Sequence, residues 1–220
     1  MKHALLFDLD GTLIQSDPLH FAVFSEMFEE RGKSIDEAFY MEHIHGHLNL
    51  DSFPKLFPGE DAQALSDLKE SRFRERLLGG QPCMPGADRV IAKAKADGWG
   101  VAIVTNAPRI NAEYMLAAIG LRDQFEVLII GDECARGKPD PEPYLAAMRA
   151  LDVSPEACIA FEDSPSGLKA ARASGAYTVG IRSAADDASL RAAGAHETLE
   201  DFNDTALKAI LARQSGETVT

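Results

Sequence analysis

The sequence predicts an α/β fold: a parallel sheet with helices on both faces, carrying one helical insert. Three observations predict it. Short, near-continuous apolar runs recur along the 220 residues, as in strands buried on both faces. Between them lie stretches whose apolar residues recur with the helical period. One long segment after the first run has no convincing buried strand.

The strands predicted in order are ALLF (Ala4–Phe7), VAIVT (Val101–Thr105), VLII (Val127–Ile130), CIAF (Cys158–Phe161) and YTVGI (Tyr177–Ile181). The helices rest on four stripes: Val90, Ile91 and Ala94; Ile110, Tyr114, Ala117 and Ala118; Tyr144, Leu145, Met148 and Leu151; and Leu207, Ile210 and Leu211. Gly98, Gly120 and Gly175 follow three helical stretches, where glycine ends a helix at least cost. Such alternation implies right-handed crossovers.

The insert begins at Asp17-Pro18, read as an N-cap followed by proline in the first turn. His20, Val23, Phe24, Met27 and Phe28 form its first stripe, and GGQPCMPG (79–86) closes it. The expected boundaries are 17–81 for the insert, and 1–16 with 82–220 for the sheet domain. An insert tethered twice can act as a lid.

Composition narrows the function. A formal net charge of −13 argues against nucleic acid or an anionic membrane as partner. An anionic substrate would need a local cation or backbone donors. Three scattered cysteines form neither a disulfide framework nor a zinc-ribbon spacing. No run approaches the ~20 apolar residues of a membrane span, and the start does not read as a secretory leader. The expectation is a cytoplasmic protein, a monomer or weak homodimer.

Open α/β sheets bind ligands beyond the carboxyl ends of their strands, and polar residues collect there. Asp8 and Asp10 follow the first strand. Two apart in extended chain, they can face one group together; a surface turn would use the same residues. If they do face one group, mutual repulsion should raise one pKa and separate a nucleophile from an acid. Thr105 and Asn106 end the second strand, with a hydroxyl and turn N–H groups suited to phosphate or to a plain helix cap. Lys138 offers a point charge, or is a solvated lysine in a turn. Glu162 and Asp163 end the fourth strand, where two acids are costly unless they meet a cation; with Asp8 they could hold Mg²⁺, or they could simply cap a helix.

In this order, FDLDGTL, VTN, GKPDPEPYL and FEDSPSGLKAA resemble the four motifs of the haloacid dehalogenase-like (HAD) superfamily. DPLHFAVF resembles its subgroup with a helical cap after the first motif, which contains phosphoglycolate phosphatase and β-phosphoglucomutase. The resemblance implies a Rossmann-like core with an α-helical cap. It implies that Asp8 attacks phosphorus to form an aspartyl-phosphate, and that Asp10 protonates the leaving oxygen and then activates water. Thr105, Asn106 and Lys138 would hold the phosphoryl oxygens. Asp8, the main-chain carbonyl of Asp10 and Asp163 would bind Mg²⁺, with Glu162 nearby. His20 and Gly46 would bind substrate from the cap.

Gln15 and Glu162 depart from the usual pattern, where acid and aspartate are common, without removing a catalytic group. Asn106 looks more like the phosphatases than the mutases. His43, His45 and His47 alternate and could bind substrate, zinc or nothing; Lys69 and Arg72 could reach a second anionic group or form a solvated helix face. The expected activity is Mg²⁺-dependent hydrolysis of a small phosphorylated metabolite. A sugar-phosphate mutase is the alternative, and a non-catalytic phosphate-binding module a third reading.

Overall fold

The computed structural model describes residues 2–45, 47 and 49–215. The chain divides into two compact units, Met1–Gln15 with Gly80–Thr220, and Ser16–Gly79. After strand β1 (Ala4–Phe7) come helices α1 (Asp17–Glu29), α2 (Glu37–His43), α3 (Asn49–Leu56), α4 (Ala62–Leu77) and α5 (Ala87–Ala96). Then β2 (Gly100–Thr105), α6 (Arg109–Ala118), β3 (Val127–Ile130), α7 (Glu142–Leu151), β4 (Cys158–Glu162) and α8 (Pro165–Ala173) follow. The chain continues through β5 (Tyr177–Ile181), α9 (Asp187–Ala193), β6 (Glu197–Leu199) and α10 (Ala206–Ser215).

The larger unit has the expected α/β fold. Its six strands are all parallel, in the order β3-β2-β1-β4-β5-β6. β1 is central: Leu6 lies opposite Ala102 on one side and Ala160 on the other. Its four residues are fully buried, which is why it reads as unbroken apolar sequence rather than as an alternation. Ala4 and Leu6 face a core built with Tyr144, Ala147 and Met148 of α7 and Ala170 and Ala171 of α8. Phe7 points the other way and stacks on Phe161 at 5.1 Å, with Phe202 and Phe125 beside it. Gly98, Gly120 and Gly175 take the left-handed backbone that the turn after each helix requires.

The structure corrects three readings in detail. β6 adds an edge strand that its three residues, ETL, did not announce. Helix α6 turns its other face inward: Ala112, Met115 and Leu116 are buried, whereas Ile110 and Tyr114 are 51% and 38% exposed. Both faces of α6 carry apolar residues, so periodicity alone does not choose between them. Asp17 is the first residue of α1 and Ser16 occupies the cap position. The Asp17 carboxylate is spent instead on the Tyr40 hydroxyl, which donates to it at 3.3 Å, and on His45 at 3.3 Å.

Among its described residues the smaller unit has four helices around an aromatic core. Phe24 lies 5.7 Å from Phe53 and Phe28 lies 4.8 Å from Phe57. The stripe of α1 is buried as its spacing demands, with Val23, Phe24, Met27 and Phe28 inside. Lys69, on α4, is not a solvated face: it is buried, paired with Glu70 at 2.8 Å and set over the rings of Phe24 and Phe73. Arg72 pairs with Glu30 at 2.6 Å.

Candidate active site

Asp8 is the first residue past β1. Its N–H donates to Phe161 O at 2.9 Å and prolongs the ladder by one step. The carboxylate thus sits at the carboxyl end of the central strand, where it is almost wholly buried. Asp10 follows in a turn closed by Gly11 N–H donating to Ile14 O at 2.7 Å. Thr105 ends β2, buried, and its hydroxyl accepts from Ala107 N–H at 3.0 Å.

Lys138 reaches the same place from the loop before α7. Its ammonium, with the side chain 4% exposed, donates to Asp8 Oδ1 at 2.5 Å, Glu162 Oε1 at 2.6 Å and Val104 O at 2.7 Å. All three N–H bonds are therefore used, as burial of an ammonium demands. The Asn106 side chain holds the Lys138 backbone from both sides, accepting from its N–H at 3.1 Å and donating to its carbonyl at 3.2 Å. Gly131 and Gly137 leave room for this amide: a Cβ there would stand 2.1 and 3.0 Å from Asn106 Oδ1.

Glu162 ends β4 with no exposed surface. Besides Lys138, its Oε1 accepts from the Tyr144 hydroxyl at 2.9 Å. Its Oε2 accepts from Ser164 N–H at 3.2 Å and Ser164 Oγ at 3.1 Å. Asp163 Oδ2 accepts from Ser183 Oγ at 3.3 Å and lies over Gly11, where a Cβ would come within 2.0 Å of it. A Cβ on Gly167 would fall 1.7 Å from Glu162 Oε1. Gly167→Ala is therefore expected to cost about 3 kcal/mol, the upper part of the overpacking range, measured by urea unfolding. A loss under about 1 kcal/mol would mean that Glu162 has room to turn aside.

Electrostatics follow from burial. Burial pushes the Asp8 carboxyl well above the usual carboxylate range; Lys138 opposes this, and the charges of Glu162, Asp163 and Asp10 add to it. A raised pKa was expected from the Asp8–Asp10 pair, but Asp10 is the smallest of these influences. Burial works to lower Lys138, yet Asp8 and Glu162 outweigh it and hold the ammonium protonated. Burial, then the charges of Glu162 and Asp8, raise the Tyr144 phenol, so it stays a neutral donor.

One carboxylate oxygen each from Asp8, Glu162 and Asp163 lie within 4.8 Å of one another, the single such acidic or metal-ligating group among the described residues. The donor set fits a hard divalent cation: oxygen ligands with negative charge in excess of the one ammonium. Four donors already occupy Glu162, which makes it the anchor of Lys138 and leaves Asp8 and Asp163 as the carboxylates suited to metal. His43, His45 and His47 belong to no such group among the described residues.

The structure thus gathers Asp8, Lys138, Glu162 and Asp163 from two strand ends and one loop, with Thr105 on the neighbouring strand and Asn106 behind Lys138. His20 lies in the smaller unit, stacked on Phe73 at 4.0 Å, and Gly46 lies outside the described residues. Tyr144, Ser164, Ser183 and Gly167 are contributors that sequence reasoning did not assign. Tyr144 had a signal: a tyrosine on an inward helical stripe needs a partner for its hydroxyl.

Fold and site together define an α/β enzyme with an acid-rich centre built around one buried lysine. The profile of the haloacid dehalogenase-like hydrolases matches residues 2–175, and the chain belongs to that family. It is 36% identical over 189 residues to protein CbbY of Rhodobacter capsulatus, covering 80% of this chain and 83% of the relative. It is 31% identical over 176 residues to the phosphorylated carbohydrates phosphatase of Thermotoga maritima, covering 78% and 81%. The crystal structure of CbbY from Rhodobacter sphaeroides in complex with phosphate superposes with a TM-score of 0.76 at 30% identity, covering 92% of this chain and 95% of that one.

Proposed function

We propose that this chain is a Mg²⁺-dependent phosphatase that hydrolyses a small phosphorylated metabolite, a sugar phosphate or a phosphoglycolate-like ester, through an aspartyl-phosphate. The observation that carries the reading is the buried Lys138 ammonium shared between Asp8 and Glu162 at the strand ends. A carboxylate beside a fixed positive charge supports phosphoryl transfer, with Asp8 as the proposed nucleophile.

An Asp8 oxygen attacks phosphorus as the ester P–O bond breaks, and Asp10 gives its proton to the departing oxygen. Asp10 then takes a proton from water as that water attacks phosphorus. Inorganic phosphate leaves and the Asp8 carboxylate is restored. Thr105, Asn106 and Lys138 hold the phosphoryl oxygens. Asp8, Asp163 and the main-chain carbonyl of Asp10 would hold Mg²⁺, with Glu162 nearby; when bound it supplies charge neutralisation to the transferring group. Residues 17–81 serve as the cap, with His20 and Gly46 contributing to substrate choice. The name of the Thermotoga maritima relative, a phosphorylated carbohydrates phosphatase, supports a phosphorylated carbohydrate as substrate. The proposed setting is the cytoplasm, with three unpaired cysteines in keeping; among the described residues no helix is long and apolar enough to cross a membrane.

The test is a panel of sugar phosphates and phosphoglycolate, assayed for inorganic phosphate with and without Mg²⁺. Release that depends on Mg²⁺ is expected. Release no higher than that of an inert Asp8 variant overturns the reading, and an isomerised hexose phosphate in place of inorganic phosphate would make the chain a mutase. Asp10→Asn is expected to keep Mg²⁺ affinity by calorimetry, because its carbonyl is main chain, while turnover falls about 10²- to 10⁴-fold. Normal turnover in that variant would remove Asp10 from the acid–base role.

A further inference from the structure

We propose that Tyr144 is a positioning residue for Lys138, acting through Glu162; the proposal rests on the phosphatase reading of the same site. The geometry is a closed chain of contacts. Tyr144, fully buried on the inward face of α7, donates its hydroxyl to Glu162 Oε1 at 2.9 Å. That same oxygen accepts from Lys138 Nζ at 2.6 Å, and Lys138 passes a second N–H to Asp8 Oδ1 at 2.5 Å. The Tyr144 ring also lies under the ammonium, 5.3 Å from Nζ. Gly167 also stands against Glu162 Oε1, so the carboxylate meets both a helix backbone and a phenol.

The physical content is a division of charge. Glu162 and Asp8 compete for one ammonium, and the nucleophile needs that ammonium where the phosphoryl oxygens will be. A donor on Glu162 Oε1 takes up part of its accepting capacity and fixes its direction. Without the phenol, Glu162 draws Lys138 more strongly and Asp8 loses its share. The positive charge remains in the site, so ground-state binding of a phosphate ester is kept. What is lost is its alignment with the transition state, and that appears in kcat rather than KM.

The experiment compares wild type, Tyr144→Phe and Met148→Ala with p-nitrophenyl phosphate and Mg²⁺. It also follows the Lys138 ammonium by nitrogen-15 NMR, assigned by its loss in Lys138→Ala. Tyr144→Phe is expected to lower kcat about tenfold, the equivalent of one hydrogen bond to a charged group, with KM changed less than about twofold and the Lys138 signal moved. Met148→Ala opens the same core from the same helix, so it should lower the melting temperature with kcat and the signal kept. An unmoved Lys138 signal in Tyr144→Phe, or a kcat equal to wild type, overturns the proposal. If the wild type turns over no phosphate ester at all, the phosphatase reading fails, and the NMR signal alone decides whether Tyr144 positions Lys138.

Discussion

Asp8→Asn is expected to abolish phosphate release while leaving the fold as stable as wild type. The amide cannot attack phosphorus, and removal of the nucleophile from a covalent mechanism costs about 10⁴-fold or more. Stability follows a different account. Asp8 is buried, and burial raises its pKa, so the folded state binds its proton more tightly than the unfolded chain does. Holding it ionised at neutral pH therefore costs stability. Asparagine is nearly the same shape and removes that cost, along with the charge of one of Lys138's partners; its Oδ1 can still accept, and Glu162 and Val104 O remain for the ammonium. The two effects oppose each other, and the net change should lie within about 1 kcal/mol. A phosphate-release assay beside a urea titration checks both. Turnover within tenfold of wild type would assign the nucleophile elsewhere.

Lys138→Ala is expected to have the largest effect on stability. It removes the one ammonium from a cluster in which Asp8 and Glu162 are both buried, with side chains 9% and 0% exposed. Breaking a buried ion pair by deleting one partner costs about 3–5 kcal/mol, because the other charge is left uncompensated. In a chain of this size each kcal/mol lowers the melting temperature by about 2–4 °C, so a loss of roughly 10 °C is expected. The deficit should shrink as pH falls, since without the ammonium Asp8 takes up a proton more readily and its charge disappears. Urea unfolding at neutral and mildly acidic pH measures this. A deficit independent of pH would mean that packing, not charge, makes Lys138 important.

The five strands named from sequence are all present, because strands buried on both faces must be apolar throughout. β6 escaped because an edge strand of three residues, Glu197 to Leu199, needs only one apolar face. Sequence points to the wrong side of α6 because Ile110 and Tyr114 also carry apolar side chains, like the buried Met115 and Leu116, and only tertiary contact separates the two faces. At the site, Asp8, Lys138, Glu162 and Asp163 could be proposed from residue type and their position after apolar runs. What sequence could not supply was the pairing. Nothing in EPYL says that the Tyr144 hydroxyl ends on Glu162 rather than in water, and nothing in VTN says that Asn106 spends its amide on the Lys138 peptide. Nor could spacing reveal that Lys69 is buried, since Lys on a helix is commonly solvated and the pair with Glu70 and the rings of Phe24 and Phe73 make its burial tolerable.

The central strand has a consequence for how the polypeptide is made. Its neighbours are residues 100–103 on one side and 158–161 on the other, so β1 leaves the ribosome long before the second of its partners does. Until then its apolar surface has no lasting cover, and closing so long a loop delays the pairing. Maturation of the candidate site is thus tied to the synthesis of β4, and a nascent chain arrested before residue 158 would carry Asp8 without the strand that seats it.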